Sequence, residues 1–245
     1  MARSGSRSFS DPMTPRLRAI FFDAGGTLIH MDPACILGAL AQQGILRDAE
    51  AYRRAEVAAR RAVVAWLAAG NRAAELTRWQ LYARTLLEDL GCPPAAERAV
   101  YAAVRERHAA ATLWSYVTPG SHDVLARLRS AGHILGIVSN ADGRVATFLE
   151  HAGLRGAFDF VVDSGTVGID KPDPRIFALA CEQAGVAAAE AAHVGDVYEV
   201  DVLGARAAGV LPVLYDPDDL LPHADCMRVR ALAELPERLA AQVAA

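Results

Sequence analysis

Five short apolar runs constrain what this chain can become: LRAIFF (17–22), HILGIVS (133–139), FDFVVDS (158–164), AAHVG (191–195) and LPVLYD (211–216). Each is largely apolar and is bounded by Gly, Asp or Asn, as expected of a strand buried on both faces of a parallel sheet. Stretches of helical spacing separate the last four. GSHDVLARLRSAG precedes the second run, GRVATFLEHAGL follows it, PRIFALACEQAGV follows the third and VDVLGARAAGV the fourth. Gly132, Gly153, Gly185 and Gly209 stand at their C-terminal ends. This alternation predicts an α/β fold, a doubly wound parallel sheet of Rossmann type.

Between the first run and the others the alternation stops. From Asp32 to Val117 no strand is predicted, and Ala, Leu, Arg and Glu recur at helical spacing, as in AYRRAEVAARRAVVAWLAAG and LTRWQLYARTLLEDLG. An all-helical cap over 32–117 is therefore expected, inserted after the first strand of a core made of 18–31 plus 118–245. Trp66, Trp79, Tyr82 and Trp114 are assigned to packing inside that cap. Residues 1–17 are polar, lack the apolar segment of a signal peptide and read as a disordered tail, with Met13 a second candidate start.

Composition narrows the partners. A chain of 245 residues with 53% hydrophobic and 22% charged residues can bury a sizeable core. The net charge of −4 and the absence of a basic block argue against nucleic acid, whose phosphates need clustered Lys and Arg. No apolar run approaches the ~20 residues of a membrane span. Cys35, Cys92, Cys181 and Cys226 form no Cys-x-x-Cys pair, which points to reduced thiols in a cytoplasmic protein and away from structural zinc. Oligomeric state is not legible.

Ligands of an open α/β sheet bind at the C-terminal strand ends. There the first run ends in Asp23 and the second in Ser139 and Asn140. GIDKPDPRIF, with Lys171, follows the third, and the fourth runs into GDVYEVD, with Asp196 and Asp201. Each residue alone reads as a turn or helix-capping residue. Together they meet the needs of phosphoryl transfer. A metal such as Mg2+ requires hard oxygen ligands, which Asp23, Asp196 and the carbonyl of Gly25 can supply, with Asp201 holding a metal-bound water. One carboxylate can serve as nucleophile. Ser139, Asn140, Thr27 and the backbone around Gly25 and Gly26 can hold the transferring oxygens. Lys171 is the single lysine against 24 arginines, and a compact point charge is what a planar guanidinium cannot provide.

FFDAGGTL, VSN, GIDKPDPRIF and HVGDVYEVDVLGARAAGV resemble the four motifs of the haloacid dehalogenase-like (HAD) hydrolase superfamily, in its subclass with a helical cap after the first strand. Their order and spacing match from Arg18 to Leu239, and DCMRVRALAELPERL (225–239) resembles the usual ending of such chains. The resemblance implies Mg2+ as cofactor and a small phosphorylated metabolite as substrate. It makes Asp23 the nucleophile, Ser139 the phosphate-binding hydroxyl, Lys171 the cation, and Asp196 the metal ligand with Asp201 beside it.

The departure lies at position 25. Phosphatases of this family usually carry D-x-D, whose second Asp protonates the leaving oxygen and then activates water; here the residues are Asp23, Ala24 and Gly25. The carbonyl at 25 survives and the acid/base does not, a loss of about 10²–10⁴ in rate. Haloacid dehalogenases carry D-x-Y and need no metal, whereas GDVYEVD keeps an acid pair suited to one. Phosphonoacetaldehyde hydrolases have a small residue there but use a cap lysine, and 32–117 contains none. A non-catalytic phosphate- or partner-binding module would not need the other groups. The expectation is thus a Mg2+-dependent phosphatase without the usual acid/base. Either a cap side chain such as His30, Asp32 or a Glu replaces it, or the leaving group is weakly basic. Restoring an acid by Gly25→Asp is expected to raise turnover of alkyl phosphates.

Overall fold

The computed structural model describes residues 16–71, 75–110 and 112–243. Nearly all of the expected N-terminal tail lies outside them. The chain begins with β1 (Ala19–Phe22) and β2 (Ile29–Met31), continues through α1 (Pro33–Ala41), α2 (Ala49–Ala68), α3 (Glu75–Asp89) and α4 (Pro94–Ala110), and returns in β3 (Trp114–Val117). Strand and helix then alternate. The order is α5 (Ser121–Ser130), β4 (Ile134–Ser139), α6 (Val145–His151), β5 (Phe160–Asp163), α7 (Ser164–Val167), α8 (Pro174–Ala184) and β6 (Ala191–Gly195). A turn of π-helix over Tyr198–Val202 leads into α9 (Leu203–Ala207), followed by β7 (Leu211–Tyr215), β8 (Met227–Val229) and α10 (Leu235–Val243).

Six strands form one sheet in the order β5-β4-β1-β6-β7-β8, all neighbours parallel. All five predicted strands are present. β1 shows why their runs are continuously apolar. Ile20 and Phe22 face Leu125, Leu128 and Leu149 of α5 and α6, while Ala19 and Phe21 face Ile176, Phe177 and Ala180 of α8. Successive side chains enter opposite cores, and each buried Phe contributes about 1.5–3 kcal/mol. The sixth strand, β8, was not predicted. It has three residues with Arg228 in the middle, too short a stretch for any periodicity to show.

Helices α1 to α4 build a core of their own around Leu40, Tyr52, Ala55, Ala59, Leu86 and Leu90. Asp32 starts α1, its side chain accepting from the Ala34 amide, with Pro33 at the first helical position. The stretch 32–117 is nevertheless not strandless. β3 pairs antiparallel with β2, Ile29 opposite Val117 and Met31 opposite Trp114. Only four residues long, and half-exposed with Tyr116 at 50%, β3 offers no apolar run to read. This ribbon stands at both crossings between sheet and helices. Trp114, at its end, packs on the sheet core and on the helical core alike. Cys35, Cys92, Cys181 and Cys226 are unpaired, and no described helix is long and apolar enough to cross a membrane.

Candidate active site

The strand order places β1 between β4 and β6, so Asp23, just past β1, lies between Ser139 at the end of β4 and Asp196 just past β6. The chain also reverses its direction across the sheet at β1, a topological switch point where a crevice opens.

Asp23 is held from one side. Its Oδ1 accepts the Ala24 amide at 2.8 Å, the Ser139 hydroxyl at 2.7 Å and Lys171 Nζ at 3.0 Å. Among the described residues its Oδ2 has no partner. Lys171 is 3% exposed and also donates to Asp201 Oδ1 at 2.7 Å. Burial works against its charge, but Asp201 and Asp23 outweigh burial and hold its pKa above the usual lysine range. Asn140, expected to bind substrate, clamps the lysine backbone. Its Nδ2 donates to Lys171 O at 3.0 Å and its Oδ1 accepts the Lys171 amide at 2.7 Å. Both polar ends of the side chain are thereby engaged.

Asp201 is buried in the π-helical turn, a distortion often found at functional sites. Its Oδ1 also accepts His193 Nε2–H at 2.9 Å, and its Oδ2 accepts the Val197 amide at 3.0 Å. Burial opposes its charge, but Lys171 first and His193 next hold its pKa low. His193 was not singled out in the sequence, where it reads as one more residue of a buried strand. Burial keeps it neutral, and among the described residues its buried Nδ1 has no partner. Gly195 makes room for this arrangement, since a Cβ there would lie 2.2 Å from Asp201 Cγ.

Asp196 is pushed up to about 7 by burial, opposed by Arg60 and reinforced by Asp201 and Asp23. Gly26 lets the preceding turn pass beneath it, for its φ is +83° and a Cβ would meet Asp196 Oδ2 at 2.4 Å. The Gly26 amide donates to Ile29 O at 2.9 Å, and Thr27 is fully buried with its hydroxyl 3.5 Å from Asp196 Oδ1. Gly26 and Thr27, expected to bind substrate, shape this turn. Gly25 uses neither its amide nor its carbonyl in the turn's hydrogen bonds. One carboxylate oxygen each of Asp23, Asp196 and Asp201 lie within 4.8 Å of one another. Such a cluster of hard oxygen donors suits Mg2+.

The helices bring residues that the sequence did not assign to the site. Arg60 of α2, with its side chain 15% exposed, pairs with Asp218 at 3.6 Å. Burial opposes its charge, while the fields of Asp196, Asp218 and Glu56 favour it. One turn earlier, Glu56 is pushed up by burial and accepts from the Tyr82 hydroxyl at 3.4 Å. His30 lies 2.9 Å from the Thr118 hydroxyl. That hydroxyl gives its one proton to Thr27 O at 2.7 Å, so His30 must carry its proton on Nε2 and aim a bare Nδ1 at Glu56, 3.9 Å away. A Tyr-Glu-Arg stripe at four-residue intervals was the available signal, but in a sequence it reads as a solvated helix face.

At Gly25 the space is tight. A Cβ would lie 3.2 Å from Cζ3 of Trp114 and 3.4 Å from its Cη2. Trp79 packs edge-on against Trp114 at 5.1 Å, and Tyr82 against Trp79 at 5.4 Å. These rings were assigned to the helical core, yet Trp79 is 37% exposed, and all three line a cleft of about 1420 Å³ with Asp23, Lys171 and Asp196.

A family model described as haloacid dehalogenase-like hydrolase matches residues 17–209. Haloacid dehalogenase-like hydrolase domain-containing protein 3 of Bos taurus is 47% identical over 94 residues, which are 38% of this chain and 38% of that protein. Phosphoserine phosphatase of Thermus thermophilus is 37% identical over 163 residues, covering 64% of this chain and 63% of that protein. The chain thus spans less than two thirds of either relative. Among solved structures, YfnB of Bacillus subtilis bound to magnesium superposes with a TM-score of 0.65 over 91% of this chain and 99% of that one. At 20% identity that likeness is one of fold.

Proposed function

The chain belongs to the haloacid dehalogenase-like hydrolases, and on that footing we propose that it is a Mg2+-dependent phosphomonoesterase acting through an aspartyl-phosphate on Asp23. The observation that carries this is the one-sided anchoring of Asp23. Three donors hold Oδ1, leaving Oδ2 as the oxygen that attacks phosphorus. Lys171, clamped by Asn140 and balanced by Asp201, places a fixed positive charge beside the attacking group, and preorganised charge of this kind is commonly the largest catalytic contribution. Mg2+, held by Asp23, Asp196 and the Gly25 carbonyl with Asp201 behind, would neutralise the phosphate dianion. We take 32–117 as the cap that covers a core of 18–31 plus 118–245, and the cytoplasm as its compartment.

Gly25 brings no proton carrier, so attack of water on the aspartyl-phosphate is the slow step and the phosphoenzyme accumulates. A panel of phosphorylated metabolites, assayed with and without Mg2+, tests the reading. Hydrolysis should require the metal and fall at least about 10³-fold in Asp23→Asn, and rapid quenching should trap label on the wild-type chain. Activity that Asp23→Asn leaves intact would overturn it. A second reading draws support from the tight space at Gly25: a phosphate-binding module without turnover, which would bind the same panel and hydrolyse none of it.

A further inference from the structure

Trp114 stands beside the reacting aspartate in an unusual way. Its six-membered ring lies against the α-carbon of Gly25, with ring carbons 3.2, 3.4 and 3.6 Å from where a Cβ would be. Contacts of that kind require the indole to give by a few tenths of an ångström before a carboxymethyl group can be seated. The indole is held on several sides. Its residue is paired to Met31 in the ribbon, its amide donates to Thr112 Oγ1 at 3.0 Å, and its ring packs on both hydrophobic cores. From this ring a ladder of edge-to-face contacts runs along the cleft, with Trp79 at 5.1 Å and 77°, then Tyr82 at 5.4 Å and 75°. The missing acid and the aromatic wall are thus two sides of one contact.

We propose that Trp114 is the specificity-determining residue of the site: it excludes a carboxylate from position 25 and, with Trp79 and Tyr82, forms an aromatic wall that selects phosphomonoesters of aromatic alcohols. This rests on the phosphatase reading of Asp23. The chemistry of the leaving group links the two effects. As Asp23 Oδ2 bonds to phosphorus, the P–O bond to the leaving group breaks and its electron pair stays on that oxygen. A phenol, with a pKa of about 10, departs as the aryloxide and takes its proton from bulk water. An alkoxide, nearer the ~16 of water, needs an acid, and position 25 supplies none. Water then attacks phosphorus, the Asp23–phosphorus bond breaks, and phosphate leaves with the proton released to solvent. Edge-to-face packing with the wall further favours an aromatic ring over an alkyl chain.

Two measurements test this, with a thermal melt of each variant. In the first, kcat/KM is compared for phenyl phosphate and glycerol phosphate in wild type, Gly25→Asp, Trp114→Leu and the double variant. Wild type should prefer the aryl ester at least about 100-fold, in line with the value of general acid catalysis. Gly25→Asp alone, which the sequence leads one to expect to help alkyl phosphates, should gain nothing on glycerol phosphate because the indole crowds the new side chain, whereas the double variant should gain at least about tenfold. A gain in Gly25→Asp equal to that of the double variant would overturn the proposal. Trp114→Phe, which keeps a ring in the core, should retain the aryl preference if Trp114→Leu fails to fold. In the second, calorimetry measures binding of phenylphosphonate and methylphosphonate without turnover. Phenylphosphonate should bind about tenfold tighter, and replacing Trp114 by Leu should remove that margin while leaving methylphosphonate unchanged. Equal affinity in wild type sinks the wall and leaves the phosphatase reading standing. Failure of either phosphonate to bind, with no ester hydrolysed, sinks both.

Discussion

Lys171 has two carboxylates at hydrogen-bond distance and almost no solvent, so its charge and its size are both specified. Lys171→Arg preserves the charge and adds a planar fork to a filled site. Overpacking of this kind costs about 1–3 kcal/mol. A lower melting temperature and a fall in turnover of at least about 100-fold are expected; wild-type values for both would mean the point charge is dispensable. His30 gives a pH signature. Burial first, and Arg60 second, push it down to about 4, against about 6.5 in the unfolded chain. Below pH 6.5 the unfolded chain takes up a proton that the folded chain refuses, so stability falls as pH drops and levels off below about 4. The whole span is worth roughly 3 kcal/mol. Urea unfolding at pH 7 and pH 5 should show a smaller acid penalty in His30→Gln than in wild type, and parallel losses would exclude His30 as the source. Lys171 was legible in the sequence because it is the one lysine of the chain and lies in the loop that follows the third predicted strand. His193 was not, since only the fold brings it to Asp201.

At the scale of elements, strand ends and helix faces differ in how much they disclose. A parallel strand announces itself by a continuous apolar run, and its C-terminal residue is then placed without further information. Asp23, Ser139 and Asp196 were legible on that ground. A helix face carries no such address. Tyr52, Glu56 and Arg60 lie on one stripe of α2, but which way the stripe points depends on Ala55 and Ala59 packing into the helical core. Short elements carry even less, so β2, β3 and β8 went unseen, and with β3 the position of Trp114. α2 delivers Arg60 to the field of Asp196 and to Asp218. Arg60→Gln should raise KM for a phosphorylated substrate by about tenfold, the scale of one charge-assisted hydrogen bond, with a smaller effect on kcat. A change confined to kcat would place Arg60 in the chemical step instead.

At the scale of the whole molecule, sheet and helices meet through a narrow set of links. Among the described residues they include the β2–β3 ribbon, the pair of Arg60 with Asp218, and Arg144 Nη2 2.6 Å from His108 Nε2. The reactive groups lie beneath them, the ε-amine of Lys171 almost fully buried among them. That burial gives the folded chain an unusual surface, one with no side-chain amine at all. Amine-selective reagents have only the α-amino group to attack, and they reach Lys171 solely when the floor of the cleft opens. Intact mass after acetylation, with hydroxylamine used to reverse adducts on Tyr and Cys, should show one added group under native conditions and two in guanidinium. The slow appearance of the second then becomes a clock for opening, read from one atom and needing no engineered probe.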